Sequence, residues 1–148
     1  MLKKDYDFYQ NRPKPKNHTC AAALIVRNGR VLMGLREYQK GSPLWTFPGG
    51  RCDFGESPEN GLKREVVEEI GTTDLQIVRS LGKKDGAYKD ENGVDEVHMF
   101  ECITLQEPKL LEPEKFLEWR WFGLDELPPN LIDQKDIGFI KIVLSNRF

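Results

Sequence analysis

Cysteine is scarce in this chain and poorly placed for scaffolding. Cys20, Cys52 and Cys102 are odd in number and widely spaced, which fits neither a disulfide framework nor a zinc site and suits a reducing compartment. A cytoplasmic setting is therefore expected. Long apolar runs are also missing: no stretch approaches the ~20 residues of a membrane span. Lys3 and Lys4 are followed by no apolar stretch, so a secretory leader is not expected either. The net charge is only −2, which gives no broad attraction to nucleic acid. Histidine is limited to His18 and His98, and neither sits in a nucleophile constellation; His98 reads as a structural strand residue. Nothing beside Cys52 marks it as a nucleophile. What remains is a 148-residue chain of the size of one compact domain, long enough to bury a core.

Residues 1–17 read as an N-terminal tether, with Tyr6, Phe8 and Tyr9 ahead of the basic, proline-rich Arg12-Pro13-Lys14-Pro15-Lys16. Those aromatics have two candidate docking places, the domain itself or a second subunit of a homodimer. Residues 18–148 form the domain. His18 to Arg27 reads as a strand, Asn28-Gly29 as a two-residue hairpin turn, and Arg30 to Arg36 as the returning strand. Trp45 to Pro48 is a short strand, followed by a loop and a helix. Leu75 to Leu81 and Val94 to Leu105 are strands, and the charged, glycine-containing segment from Gly82 to Gly93 between them reads as an exposed hairpin loop. Glu118 to Leu124 is a further strand. After the break at Leu127-Pro128-Pro129-Asn130, Ile132 to Asn146 is expected to close the fold as an amphipathic helix. The order β-β-β-α-β-β-β-α predicts an α/β domain with a mixed sheet between helices.

The informative segment runs from Gly50 to Thr72. Gly50 is followed after five residues by Glu56, after seven more by Arg64-Glu65-Val66, then by Glu68-Glu69 and Gly71. Ser57-Pro58 opens a helix, as a serine N-cap before proline at the first helical position, and Gly71 suits its C-terminal stop. Leu62, Val66 and Ile70 repeat every four residues and form its core stripe. Glu65, Glu68 and Glu69 stand at i, i+3 and i+4, so their carboxylates are expected to converge on a neighbouring face. Such a set repels itself unless a hard divalent cation such as Mg²⁺ or Mn²⁺ reverses the sign. An isolated Glu-x-x-Glu-Glu is ordinarily a solvated face. Here Trp45-Thr46-Phe47-Pro48-Gly49-Gly50 ends a strand in a double glycine just ahead, where backbone can approach a ligand closely. Arg64 is placed to orient Glu56 and Glu65.

These residues resemble the Nudix box, the signature of Mg²⁺-dependent hydrolases of nucleoside diphosphates linked to another group. The one departure is Thr72, where the family usually has an aliphatic residue. The resemblance implies the Nudix fold, and the stretches Leu44 to Gly50 and Leu111 to Pro129 look most like MutT-type nucleoside triphosphate pyrophosphohydrolases. It further implies catalytic roles for Arg64, Glu65, Glu68 and Glu69, with Glu65 the first choice of general base. The expected metal ligands are Glu56, Glu65, Glu68 and Glu69, a carbonyl of Gly49 or Gly50, and one later carboxylate, Glu112 or Glu114. Arg36 is placed like a phosphate-contacting arginine and Asn130 like a base-reading asparagine, while Trp45 and Phe47 are candidates to line a base pocket.

The expected substrate is therefore a small-molecule nucleotide, a triphosphate cleaved to monophosphate and pyrophosphate, with no nucleic-acid or membrane partner. Two alternatives stand beside it. One is a Nudix hydrolase of a dinucleoside polyphosphate, ADP-ribose or a nucleotide sugar, for which Tyr88 is a thin pointer. The other is a nucleotide-sensing module without turnover, which the loss of box glutamates would mark; none is lost.

Overall fold

A computed structural model describes residues 17–145, apart from the side chains of residues 88 and 90. The tether, all but Asn17, lies outside the described residues, as does Asn146 of the expected closing helix. Strands β1 (Thr19–Arg27) and β2 (Arg30–Arg36) are joined at Asn28-Gly29. Both turn residues have positive φ, 52° and 74°, as a two-residue turn that matches strand twist requires. The strands pair only near that turn, at Val26 with Val31 and Arg27 with Arg30. Beyond it β1 runs parallel to β6 (Gly93–Ile103), from Thr19 opposite Glu96 to Ile25 opposite Cys102. The other strand, β2, pairs antiparallel with β3 (Leu44–Thr46) and β7 (Phe116–Phe122). With β5 (Gln76–Asp90), the result is a mixed sheet in the order β3-β2-β1-β6-β5, with β4 (Gly49–Arg51) on β1 and β7 on β2.

Alternation along β1 builds two cores. Ala21, Ala23 and Ile25 face helix α1 (Pro58–Ile70), whose Leu62, Val66 and Ile70 are wholly buried as their spacing predicts. Leu24 faces the other way, towards Ile140, Val143 and Leu144 of helix α2 (Asp136–Leu144). The sheet thus lies between the two helices.

Apart from end shifts in the strands, as in β3 and β7, three segments differ from expectation, each for a physical reason. The charged segment from Gly82 is no loop: β5 runs unbroken as Gln76–Asp90, pairing with β6 down to Asp90 opposite Gly93. An edge strand tolerates charge because one margin faces water, and register shifts near Arg79, Gly82 and Lys89 absorb the irregular pattern. The double glycine is itself a strand, with Gly49 opposite Ala22 and Gly50 opposite Ala21; its lack of side chains hid it. The last helix starts later than Ile132. Leu131 bridges Trp45, and the Asp133 carboxylate accepts from the Lys135 N–H, so the chain turns before helical bonding begins. A 3₁₀ turn, Leu124–Glu126, precedes this segment.

Candidate active site

Local chemistry sets the helix that carries the site. The Ser57 hydroxyl accepts from Asn60 N at 3.1 Å, Pro58 opens the first turn, and Gly71 ends α1 in the left-handed conformation. Gly61 lets the helix lie against the preceding loop, since a Cβ there would meet Cys52 Sγ at 2.6 Å. Leu62, Val66 and Ile70 then fix the rotation of α1 on the sheet. That rotation brings Glu65 and Glu69 up to β4.

Arg64 is the hub. Its Nε and Nη2 donate to the two oxygens of Glu56 at 2.9 and 3.0 Å, and its Nη1 donates to Glu65 Oε1 at 3.1 Å and Glu68 Oε1 at 3.3 Å. A further bond reaches the Arg51 carbonyl at 3.0 Å. The Glu56 pair raises the Arg64 pKa above its ordinary value, and Arg64 in turn holds Glu56 below the usual carboxylate range. Glu56 also accepts from Asp53 N at 2.7 Å. These bonds make Glu56, expected among the metal ligands, a tie between the loop and α1 through both of its oxygens.

Glu69 is only 4 % exposed and accepts from Gly49 N at 2.8 Å. Burial pushes its carboxyl up to about 8; the Gly49 N–H opposes that shift, Glu65 adds to it, Arg36 opposes it and Glu112 adds to it. Burial likewise raises Glu65, against the pull of Arg64. The expected convergence of the three helix carboxylates is not what forms. Glu65 and Glu68 turn to Arg64 and Glu69 turns to Gly49, so among the described residues no group of three acidic, histidine or cysteine side chains makes a ready metal cage.

The donor set nevertheless fits a hard divalent cation. Glu112 Oε1 is buried with no hydrogen-bond partner, and its charge is felt at Glu69; an orphaned, desolvated carboxylate oxygen is costly unless something binds it. Gly50 holds space at the same place, because a Cβ would come within 2.7 Å of the Glu65 carboxyl carbon. Of the two later-loop candidates, Glu112 stands beside this cluster, whereas Glu114 is exposed.

The remaining expected residues divide. Arg36, at the end of β2, acts electrostatically on Glu69 and lies over the rings of Tyr38 at 4.7 Å and Phe116 at 5.7 Å. Trp45 and Phe47 do not line an open pocket. Both are buried in the core beneath α2, with Trp45 edge-on to Phe122 at 4.7 Å; strand-spaced aromatics here pack rather than present. Asn130 is a strap: its Nδ2 donates to the Pro43 carbonyl at 3.1 Å and its carbonyl accepts from Trp45 N at 3.0 Å. His98 pairs with Glu96 at 3.2 Å on β6. Sequence reasoning missed Lys115, whose charge acts on Glu65. The signal was Glu112-Pro113-Glu114-Lys115, a four-residue turn pattern with proline second, whose ends meet.

A sequence profile for the NUDIX domain matches residues 16–141 of the chain. The protein belongs to the Nudix family. This Nudix hydrolase is 29 % identical over 126 residues to the oxidized purine nucleoside triphosphate hydrolase of Danio rerio, spanning 84 % of the chain and 78 % of that relative. It is 28 % identical over 150 residues to the RNA pyrophosphohydrolase of Caulobacter vibrioides, spanning 88 % and 83 %. The crystal structure of the MutT NUDIX hydrolase from Burkholderia pseudomallei superposes with a TM-score of 0.69 at 26 % identity, over 90 % of this chain and all of that one. Among the described residues no helix is long and apolar enough to cross a membrane. Nudix hydrolases in general use divalent metals, and the α1 carboxylates with Glu112 are the hard oxygen donors that such a cation prefers.

Proposed function

We propose that this Nudix hydrolase cleaves a nucleoside triphosphate between its α- and β-phosphates, giving the monophosphate and pyrophosphate. The observation that carries the reading is the desolvated acidic cluster beside the double glycine: Glu69 on Gly49 N, Glu65 under Gly50, and the orphaned oxygen of Glu112. The name of the Danio rerio relative, an oxidized purine nucleoside triphosphate hydrolase, supports the triphosphate class, and that of the Caulobacter relative, an RNA pyrophosphohydrolase, supports the release of pyrophosphate.

In this reading Glu65, Glu68, Glu69, Glu112 and the Gly50 carbonyl would hold Mg²⁺ or Mn²⁺. When bound, such a cation neutralises phosphate charge and lowers the pKa of the attacking water. Glu65 is the proton acceptor. As a new P–O bond forms to water and the bridging P–O bond breaks, the water proton passes to the Glu65 carboxylate and pyrophosphate leaves. Arg64 orients Glu65 and Glu68, and Glu56 orients Arg64. Arg36 offers a fixed positive charge to the phosphates.

Purified protein with Mg²⁺ should release pyrophosphate from common or oxidised purine triphosphates. Diadenosine tetraphosphate, ADP-ribose, a nucleotide sugar and 5′-triphosphorylated RNA serve as comparisons. A tenfold higher kcat/KM on any of these, about 1.4 kcal/mol of transition-state binding, would overturn the substrate class.

A further inference from the structure

Lys115 is the cation at this cluster that neither the box nor the reaction scheme has used. Its backbone is pinned on both sides. Lys115 N donates to the Glu112 carbonyl at 2.9 Å, which closes a tight turn, and the Lys115 carbonyl accepts from Glu37 N at 2.9 Å, beside Arg36. Its side chain is half exposed and meets Glu112 Oε2 at 3.5 Å, longer than the ~2.8 Å of a well-formed charge-assisted hydrogen bond. The same ammonium exerts a favourable charge effect on Glu65, so it stands within electrostatic reach of the helix carboxylates.

The neighbouring cations are less available. Arg64 spends its donors on Glu56, Glu65, Glu68 and the Arg51 carbonyl. Arg36, the other cation assigned to the phosphates, is held over the Tyr38 and Phe116 rings at 4.7 and 5.7 Å, so its reach is set by that contact. A polyphosphate carries several negative charges into a site already crowded with glutamates, and the protein as a whole, at net −2, does not attract it. A flexible ammonium with three rotatable donors and a weak internal partner is suited to that contact.

We propose that Lys115 is a substrate-binding residue whose ammonium leaves Glu112 and takes a non-bridging oxygen of the phosphate chain. The inference rests on the phosphoanhydride reading given above. It makes the Glu112–Lys115 pair an exchange site: the lysine holds the loop carboxylate in the free protein and the phosphates in the complex.

The test compares wild type with Lys115→Ala and Lys115→Arg in the 148-residue chain with Mg²⁺. For the triphosphate that wild type turns over best, Lys115→Ala should raise KM by roughly tenfold or more, the scale of one charge-assisted hydrogen bond. Most of the loss should lie in KM rather than kcat. Inorganic pyrophosphate binding, measured by calorimetry, should weaken by a similar factor. Lys115→Arg should recover most of both. Mn²⁺ affinity, read by electron paramagnetic resonance, separates this from a purely internal role. Unchanged KM and pyrophosphate affinity, with only Mn²⁺ affinity altered, would overturn the proposal, since Lys115 would then only neutralise Glu112. If wild type cleaves no triphosphate, the functional reading fails, and the pyrophosphate affinities of wild type and variants still decide the role of Lys115.

Discussion

The two glycines of β4 look equivalent in sequence and should behave oppositely when changed to alanine. Gly49 has φ 145°, and a Cβ there would overlap the Ala21 carbonyl oxygen and lie 2.9 Å from Ala22 Cα. Those are backbone atoms of the central strand and have nowhere to go. Strained φ costs about 1–3 kcal/mol and forced overpacking about 1–3 more, so Gly49→Ala should lose roughly 2–6 kcal/mol of stability. Gly50 has no such conformational demand. Its added Cβ would meet the Glu65 carboxyl carbon at 2.7 Å and its oxygens at 2.9 and 3.0 Å, the far end of a flexible side chain. Glu65 can move aside by the ~1 Å needed, so urea unfolding should shift by less than about 1 kcal/mol, the usual scale away from core defects. Catalysis should suffer instead, because a misplacement of about 1 Å in a positioned group can cost ~10²-fold. Urea denaturation and steady-state kcat on the two variants, side by side, give the answer. Gly50→Ala with wild-type kcat would refute the placement of Glu65 at the reacting centre, and Gly49→Ala with wild-type stability would refute the close β1–β4 approach.

Glu65→Gln keeps size and helix propensity while removing the base, so kcat should fall by roughly 10²-fold or more with an unchanged unfolding midpoint. Arg64→Lys cannot reproduce the fork that spans Glu56, Glu65 and Glu68; kcat should fall well beyond any change in melting temperature, and equal activity would show the hub to be only a surface tie. Trp45→Phe should lower stability and leave KM for nucleotide near wild type, because the ring is core; a specific rise in KM would return Trp45 to the binding site. Leu62→Ala opens a cavity under α1 and should cost about 2–5 kcal/mol by urea denaturation.

The parts of the site legible in the sequence are those carried by one helix and its caps. Ser57, Pro58, Gly71 and the Leu62-Val66-Ile70 stripe specify α1 by local rules, and the Arg64 network follows from spacing along it. What did not read out depends on partners distant in the chain. Gly49 and Gly50 form a strand only because β1 accepts a backbone without side chains. The charged run after Gly82 pairs because β6 supplies the hydrogen bonds and the edge supplies solvent. Trp45 and Phe47 carry the composition of a binding pocket, but burial under α2 decides their role, and burial is a tertiary property. Glu112 and Glu114 are indistinguishable in composition; only the turn closed by Lys115 N and Phe116 N on the Glu112 carbonyl shows which one stands beside Glu69.

The central claim is a metal-dependent cut within the phosphate chain of a nucleoside triphosphate. It is tested most directly by separating the products of one triphosphate incubated with purified protein, first with Mg²⁺ and then with excess chelator. The account predicts equal amounts of nucleoside monophosphate and pyrophosphate with Mg²⁺, none after chelation, and recovery on adding Mg²⁺ or Mn²⁺. Full turnover in excess chelator would contradict the assignment of the acidic cluster, and release of orthophosphate with nucleoside diphosphate would contradict the position of the cut.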